Sequence, residues 1–129
     1  MEIPENVVAD AIFKACLAAH REVGPNLLEK IYEDIVVYEL REAGLRVEQQ
    51  VKVPFYYKGQ RLPRDYFMDI VVERLVPIEL KVVSEVLPVH RAQLLSYLKL
   101  TRFRLGILAN FGQSTLVAGY SRVANGLPA

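Results

Sequence analysis

The chain has one cysteine, no apolar run of membrane-spanning length, no internal repeat and no low-complexity stretch. With Cys16 alone, no internal disulfide forms, and its place in an apolar helical stripe predicts a core thiol without chemistry of its own. The absence of about eighteen successive apolar residues argues against a membrane-spanning helix, and the first residues lack the basic, apolar, small-residue order of a secretory leader. A cytoplasmic protein without membrane contact is the expectation. Net charge is nearly absent too, at +1, but the balance is uneven along the chain. Residues 1–50 carry five Lys/Arg against ten Asp/Glu, whereas residues 51–129 carry eleven against five. On charge alone an ordinary solvated surface reads the same way as a polyanion-attracting one built from Lys52, Lys58, Arg61, Arg64, Arg91, Lys99, Arg102 and Arg104.

What is present is enough apolar material, 52% of 129 residues, to fill one core, so residues 1–129 are read as one domain. Val8, Ala11, Ile12, Ala15, Cys16 and Ala19 recur at helical spacing behind Pro4, which predicts a helix over 4–23. Gly24-Pro25-Asn26 breaks it. A second helix over 27–43 carries Leu28, Ile31, Tyr32, Ile35, Val36 and Leu40 and stops at Gly44. Alternation and β-branched content then predict strands over 45–57, 61–75 and 76–84, with a turn at Lys58-Gly59-Gln60. Pro88 opens a third helix to about Thr101, followed by strands over 104–110 and 115–123 and a loose, patternless tail over 124–129. Two helices, three strands, a helix and two strands make a mixed β-sheet flanked by helices on both faces, an α/β fold.

The strands over 61–84 hold an anomaly. In the stretch Tyr66-Phe-Met-Asp-Ile-Val-Val-Glu-Arg-Leu-Val-Pro-Ile-Glu-Leu-Lys-Val-Val, Asp69, Glu79 and Lys81 interrupt apolar flanks that belong in a core. Side chains alternate across a strand, so Glu79 and Lys81 share a face. With Asp69 on the adjacent strand, two carboxylates and an ammonium converge. Carboxylates held together repel one another, and a hard divalent cation such as Mg²⁺ or Mn²⁺ relieves them. Such an ion polarises a phosphoryl oxygen and acidifies a bound water, while a lysine steadies the transition state, which is the chemistry of phosphodiester hydrolysis. Taken alone, the pattern is matched by a solvated strand face. Gln93 and Tyr97, one helical turn apart just downstream, weigh towards a site.

These residues carry a resemblance to the GxxExxY family, a small-protein branch of the PD-(D/E)XK nuclease superfamily, over about Val7 to Tyr120. The naming motif falls on Asn26-Leu-Leu-Glu29-Lys-Ile-Tyr32, the sheet motif on Asp69 with Glu79-Leu80-Lys81, the helical element on Leu87-Pro-Val-His-Arg-Ala-Gln93-Leu-Leu-Ser-Tyr97-Leu, and Asn110-Phe-Gly112 completes the set. The motif's first glycine is Asn26 here, and asparagine is the residue that best replaces glycine where φ is positive. The resemblance implies a restriction-endonuclease-like sheet (core αβββαβ). It implies Asp69 and Glu79 as principal metal ligands, the Leu80 carbonyl and Glu29 as further ones, and Lys81 as the group that orients water or stabilises charge. Gln93 and Tyr97 would order the site and contact DNA. From the residues alone, Glu29 reads first as a complement to the helix dipole, Tyr32 and Tyr97 equally pack in the core, and His20 and His90 have no part in the chemistry.

The reading is a Mg²⁺-dependent DNA endonuclease with nucleic acid as partner and a homodimer as the expected assembly. The alternative is a noncatalytic module on the same fold that binds nucleic acid or a protein partner. An intact Asp69, Glu79 and Lys81 set favours the enzyme.

Overall fold

The computed structural model describes residues 3–127. Helices α1 (Pro4–Val23) and α2 (Glu29–Glu42) lead into strand β1 (Val47–Val53) and a small hairpin, β2 (Tyr56–Tyr57) with β3 (Gln60–Arg61). Strands β4 (Tyr66–Val72) and β5 (Val76–Lys81), helix α3 (Pro88–Thr101), strand β6 (Leu105–Asn110), the helical turn α4 (Leu116–Gly119) and strand β7 (Tyr120–Ala124) complete the order. Both α1 and α3 begin with proline in the first turn, where its missing N–H costs nothing. None of the described helices is long and apolar enough to cross a membrane.

The main sheet runs β1-β4-β5-β6-β7. All neighbours are antiparallel except β5 and β6, which run parallel because α3 carries the chain across between them. One face packs on α1 and α2, where Ile12, Cys16, Val36 and Leu40 meet Ile70, Val72, Ile78, Leu80 and Ile107. On α3, Leu94 and Leu98 pack with Leu108 and Val123, while Tyr97 joins Val53, Met68 and Val71. The expected layering is therefore present.

Several boundaries differ from the sequence reading. The strand expected over 45–57 ends at Val53, because Pro54 brings no N–H to a ladder. Pro63 likewise separates β3 from β4 in the stretch expected as one strand over 61–75. Between β4 and β5, Glu73 and Arg74 both take positive φ, 53° each, and Leu75 N–H closes on Val72 O at 3.0 Å. The Glu73 carboxylate accepts Arg46 N–H at 2.7 Å, which helps hold that turn without any glycine. The strand expected over 115–123 starts only at Tyr120. Thr115 Oγ1 accepts Ala118 N–H at 3.3 Å and caps α4 instead. The tail is not loose at its start: Ala124 pairs with Leu105, and Asn125 donates to Arg104 O at 2.8 Å and, through its amide, to Phe103 O at 3.0 Å. Pro128 and Ala129 lie outside the described residues.

Candidate active site

The β4–β5 ladder pairs Val72 with Val76, Val71 with Pro77 and Ile70 with Ile78, and there it ends. Beyond that point carboxylates take the backbone donors. Leu80 N–H donates to Asp69 Oδ2 at 2.9 Å, and Asp69 N–H donates to Glu79 Oε1 at 3.3 Å. The parting strands thus hold the two acids in a reciprocal clasp. Within a strand the N–H and C=O of one residue point to the same neighbour, so the Leu80 carbonyl also faces β4, past the end of the ladder. On the other side of the parting, β1 contributes its own irregularity. Gln49 pairs with Ile70 and Val51 with Met68, but Gln50, at φ 50°, leaves the ladder opposite Asp69.

Burial gives this clasp its electrostatics. Glu79 is 5% exposed, and desolvation followed by the Asp69 charge pushes its pKa up to about 8. Asp69 is also raised, first by burial and then by the charge of Glu33, although the Leu80 N–H works the other way. Lys81, half-buried on the same strand face as Glu79, makes no ion pair with any described residue and lowers the pKa values of Asp69, Glu79 and Glu29 through its charge. With the Glu79 carboxyl pushed up to about 8 beside a second acid, and the nearby ammonium unpaired among the described residues, the arrangement is chemically suited to a divalent cation. Among the described residues no three His, Cys, Asp or Glu side chains converge as a ready-made cage. Mg²⁺ needs none, since it is commonly held by one or two carboxylates plus water and substrate oxygens.

Glu29 opens α2 and is exposed; partial desolvation of its carboxyl, then the Asp69 charge, raises its pKa, but it does not close a three-acid group with Asp69 and Glu79. Sequence reasoning missed its neighbour one turn on. Glu33 is 3% exposed and accepts from Gln49 Nε2 at 2.9 Å, Gln50 Nε2 at 3.1 Å and Lys30 Nζ at 3.2 Å. Its spacing of four from Glu29 was the available signal, because it puts both acids on one helix face. On α3, Gln93 Nε2 donates to Tyr97 Oη at 3.2 Å. Tyr97 is buried, and desolvation first, with smaller contributions from the Glu79 and Asp69 charges, raises its pKa, so this pair stands within electrostatic reach of the clasp.

The other motif residues build the frame. Tyr32 is fully buried, stacks on Phe111 with centroids 4.1 Å apart, donates its hydroxyl to Gly24 O and accepts Leu27 N–H at 3.1 Å. It belongs to the core. Asn26 has φ 68°, as expected for a residue standing where the motif has glycine, and its N–H donates to Phe111 O at 3.0 Å. His90 Nδ1 accepts Leu87 N–H at 3.0 Å at the start of α3, and His20 Nε2 lies 2.9 Å from Gln113 O, so each histidine has a structural partner.

Fully buried Asn110 ties the end of β6 to the exit of β5. Its Oδ1 accepts Val83 N–H at 3.0 Å and Gly112 N–H at 2.9 Å, its Nδ2 donates to Val83 O at 2.9 Å, and Phe111 N–H meets Lys81 O at 2.8 Å. Gly112 is required here because a Cβ would sit 2.1 Å from Val83 O, backbone that cannot step aside. Gly112→Ala is expected to destabilise the fold by on the order of 3 kcal/mol, lowering the melting temperature by roughly 10 °C in a thermal denaturation followed by circular dichroism.

The chain is thus an α/β protein with a mixed sheet between helices, an acid pair where two central strands part and a lysine two residues beyond the second acid. A family profile described as the PD-(D/E)XK nuclease superfamily matches residues 6–123, and the chain belongs to that superfamily. The solved structure of SSO0001 is similar in fold, with a TM-score of 0.58 at 18% identity over 97% of this chain. The likeness covers 63% of that structure's chain. No curated protein matches the chain.

Proposed function

We propose that this protein is a metal-dependent phosphodiesterase of the GxxExxY type that hydrolyses DNA internally. The observation carrying the reading is the clasp itself: a buried carboxylate, Glu79, and a half-buried one, Asp69, each accepting a backbone N–H at a strand parting, with a lysine on the same face that makes no ion pair with a described residue. Asp69 and Glu79 would hold Mg²⁺ or Mn²⁺, with the Leu80 carbonyl supplying a further oxygen. The ion, when bound, supplies Lewis acidity towards the phosphoryl oxygen and a more acidic water. Lys81 holds its ammonium beside the reacting phosphate and steadies the charge that builds there. Tyr97 and Gln93, joined by their hydrogen bond, border the site and orient the strand. Glu29 and Glu33 keep the α2 side of the clasp negative and favour a cation over a direct ion pair with Lys81.

The test is cleavage of a panel of linear duplex, single strand, branched junction and RNA with Mg²⁺, Mn²⁺ or EDTA. Cutting of at least one substrate with metal, and none in EDTA, is the expected result. A folded protein that cuts nothing under any condition would replace this reading by the binding module.

A further inference from the structure

Away from the acid pair, the most distinctive surface is aromatic. Residues 51–67 contain Phe55, Tyr56, Tyr57, Tyr66 and Phe67 interleaved with Lys52, Lys58, Arg61 and Arg64, against one acid, Asp65. Rings of this size normally go inside, yet Tyr56 and Tyr57 are each 58% exposed, Phe67 45% and Tyr66 39%. The hairpin β2–β3 and the start of β4 present them. Behind them lies a groove of about 510 Å³ lined by the rings of Phe55, Tyr66 and Tyr97 together with Leu100, Gln93 and Lys99. The rings of Tyr66 and Tyr97 are 6.5 Å apart and tilted by 53°, so they do not cover each other's faces. Tyr97 lines this groove and also packs with Met68 and Val71, the β4 residues on either side of Asp69 and Ile70, so the groove lies against the strand that carries Asp69.

This composition discriminates between ligands. A duplex turns sugar and phosphate outward and hides its base faces, so it offers exposed rings nothing to stack on. An unpaired strand offers both bases and phosphates. Charge agrees: Lys52 and Arg61 pair with Asp65, but Lys58, Arg64 and Lys99 form no ion pair with a described residue and are free for phosphates. Lys58 also stands 5.5 Å from the Tyr57 ring centroid, so cation and ring act at one place.

We propose that the aromatic groove receives the unpaired bases of a single-stranded nucleic acid, with Phe55 and Tyr66 as the stacking platform that leads the strand to Asp69 and Glu79. The proposal rests on the nuclease reading in that it names the substrate class of that site. Its test is binding without catalysis, by fluorescence anisotropy in EDTA, using three labelled probes: a short oligothymidylate, an abasic strand with the same number of phosphates, and a short blunt duplex. The oligothymidylate binds about tenfold tighter than the abasic strand, and Phe55→Ala and Tyr66→Ala each remove about that factor while leaving the abasic strand unchanged. Tyr66→Phe keeps the ring and keeps the affinity. Tyr66 is exposed, so its variants fold even where loss of Phe55 perturbs the hairpin. Equal binding of the abasic strand, tightest binding of the duplex, or no binding by folded protein would overturn the proposal. Because no metal is present, absence of cutting does not bear on the result. Metal-dependent cutting of duplex alongside equal abasic binding would leave the nuclease reading standing and remove this one.

Discussion

Lys81→Ala is expected to reduce the single-turnover cleavage rate by on the order of a thousandfold while leaving the melting temperature within a degree or two. The split follows from where the ammonium stands. It makes no ion pair with a described residue, so its removal breaks no structural contact, and the β5 backbone on either side is held by Leu80 N–H on Asp69 and by Phe111 N–H on Lys81 O, neither of which needs the side chain. Its charge, however, is felt by Asp69, Glu79 and Glu29 alike, and in the proposed reaction it acts on the phosphoryl group. A group that acts on developing charge affects the chemical step far more than ground-state binding, so oligonucleotide affinity should fall only by the few-fold expected for one phosphate contact. Single-turnover rates and anisotropy on the same preparation separate the two. If Lys81→Ala cut within tenfold of the parent, or if it melted several degrees lower, the lysine would be part of a structural network instead.

The placement of Lys81 is legible in the sequence because a strand's period is two, so an acid and a base two apart inside an apolar run must share one face of the sheet. Pro4 and Pro88 mark two helix starts for an equally local reason. What escapes is of a different kind. Glu73 and Arg74 form the β4–β5 turn with positive φ and no glycine or asparagine, stabilised in part by the distant Arg46 backbone, so local composition signals no turn there. Thr115 to Gly119 reads as strand because β-branched and apolar residues dominate it. Gly119 is there because its missing side chain lets the backbone come within reach of Asn110 O, a contact between segments that alternation does not encode. The spacing of four puts Glu33 on the Glu29 face, but its burial escapes for the same reason. A glutamate among helix residues is ordinary until Gln49 and Gln50 arrive from β1 to hold it inside, and Gln50 can do so only by leaving the ladder opposite Asp69. Sequence periodicity reports on one element at a time, and these features each need two.

The second large effect concerns stability, and its sign distinguishes a metal site from a structural cluster. The Glu79 carboxyl titrates at about 8 in the folded protein against an ordinary 4.5, with burial and the Asp69 charge as the leading causes. The folded state therefore binds this proton more tightly than the unfolded chain. Metal-free protein should lose stability progressively as pH rises from about 4.5 to about 8, by on the order of a few kcal/mol, with Asp69 and Glu29 shifted in the same direction. A structural salt-bridge cluster predicts the opposite slope, because paired carboxylates are depressed and lose their contribution as pH falls. Glu79→Gln sharpens the contrast. The amide retains an oxygen to accept the Asp69 N–H, removes the repulsion, and should raise the melting temperature of metal-free protein at pH 8 while abolishing cleavage. Mg²⁺ should act in the same direction on the parent protein, raising its melting temperature more at pH 8 than at pH 5, because only the deprotonated pair binds it, and it should do far less for Glu79→Gln. A metal-free protein whose melting temperature rises between pH 5 and 8, or a Glu79→Gln variant that is less stable at pH 8, would mean that the acid pair holds the fold together and is not waiting for a cation.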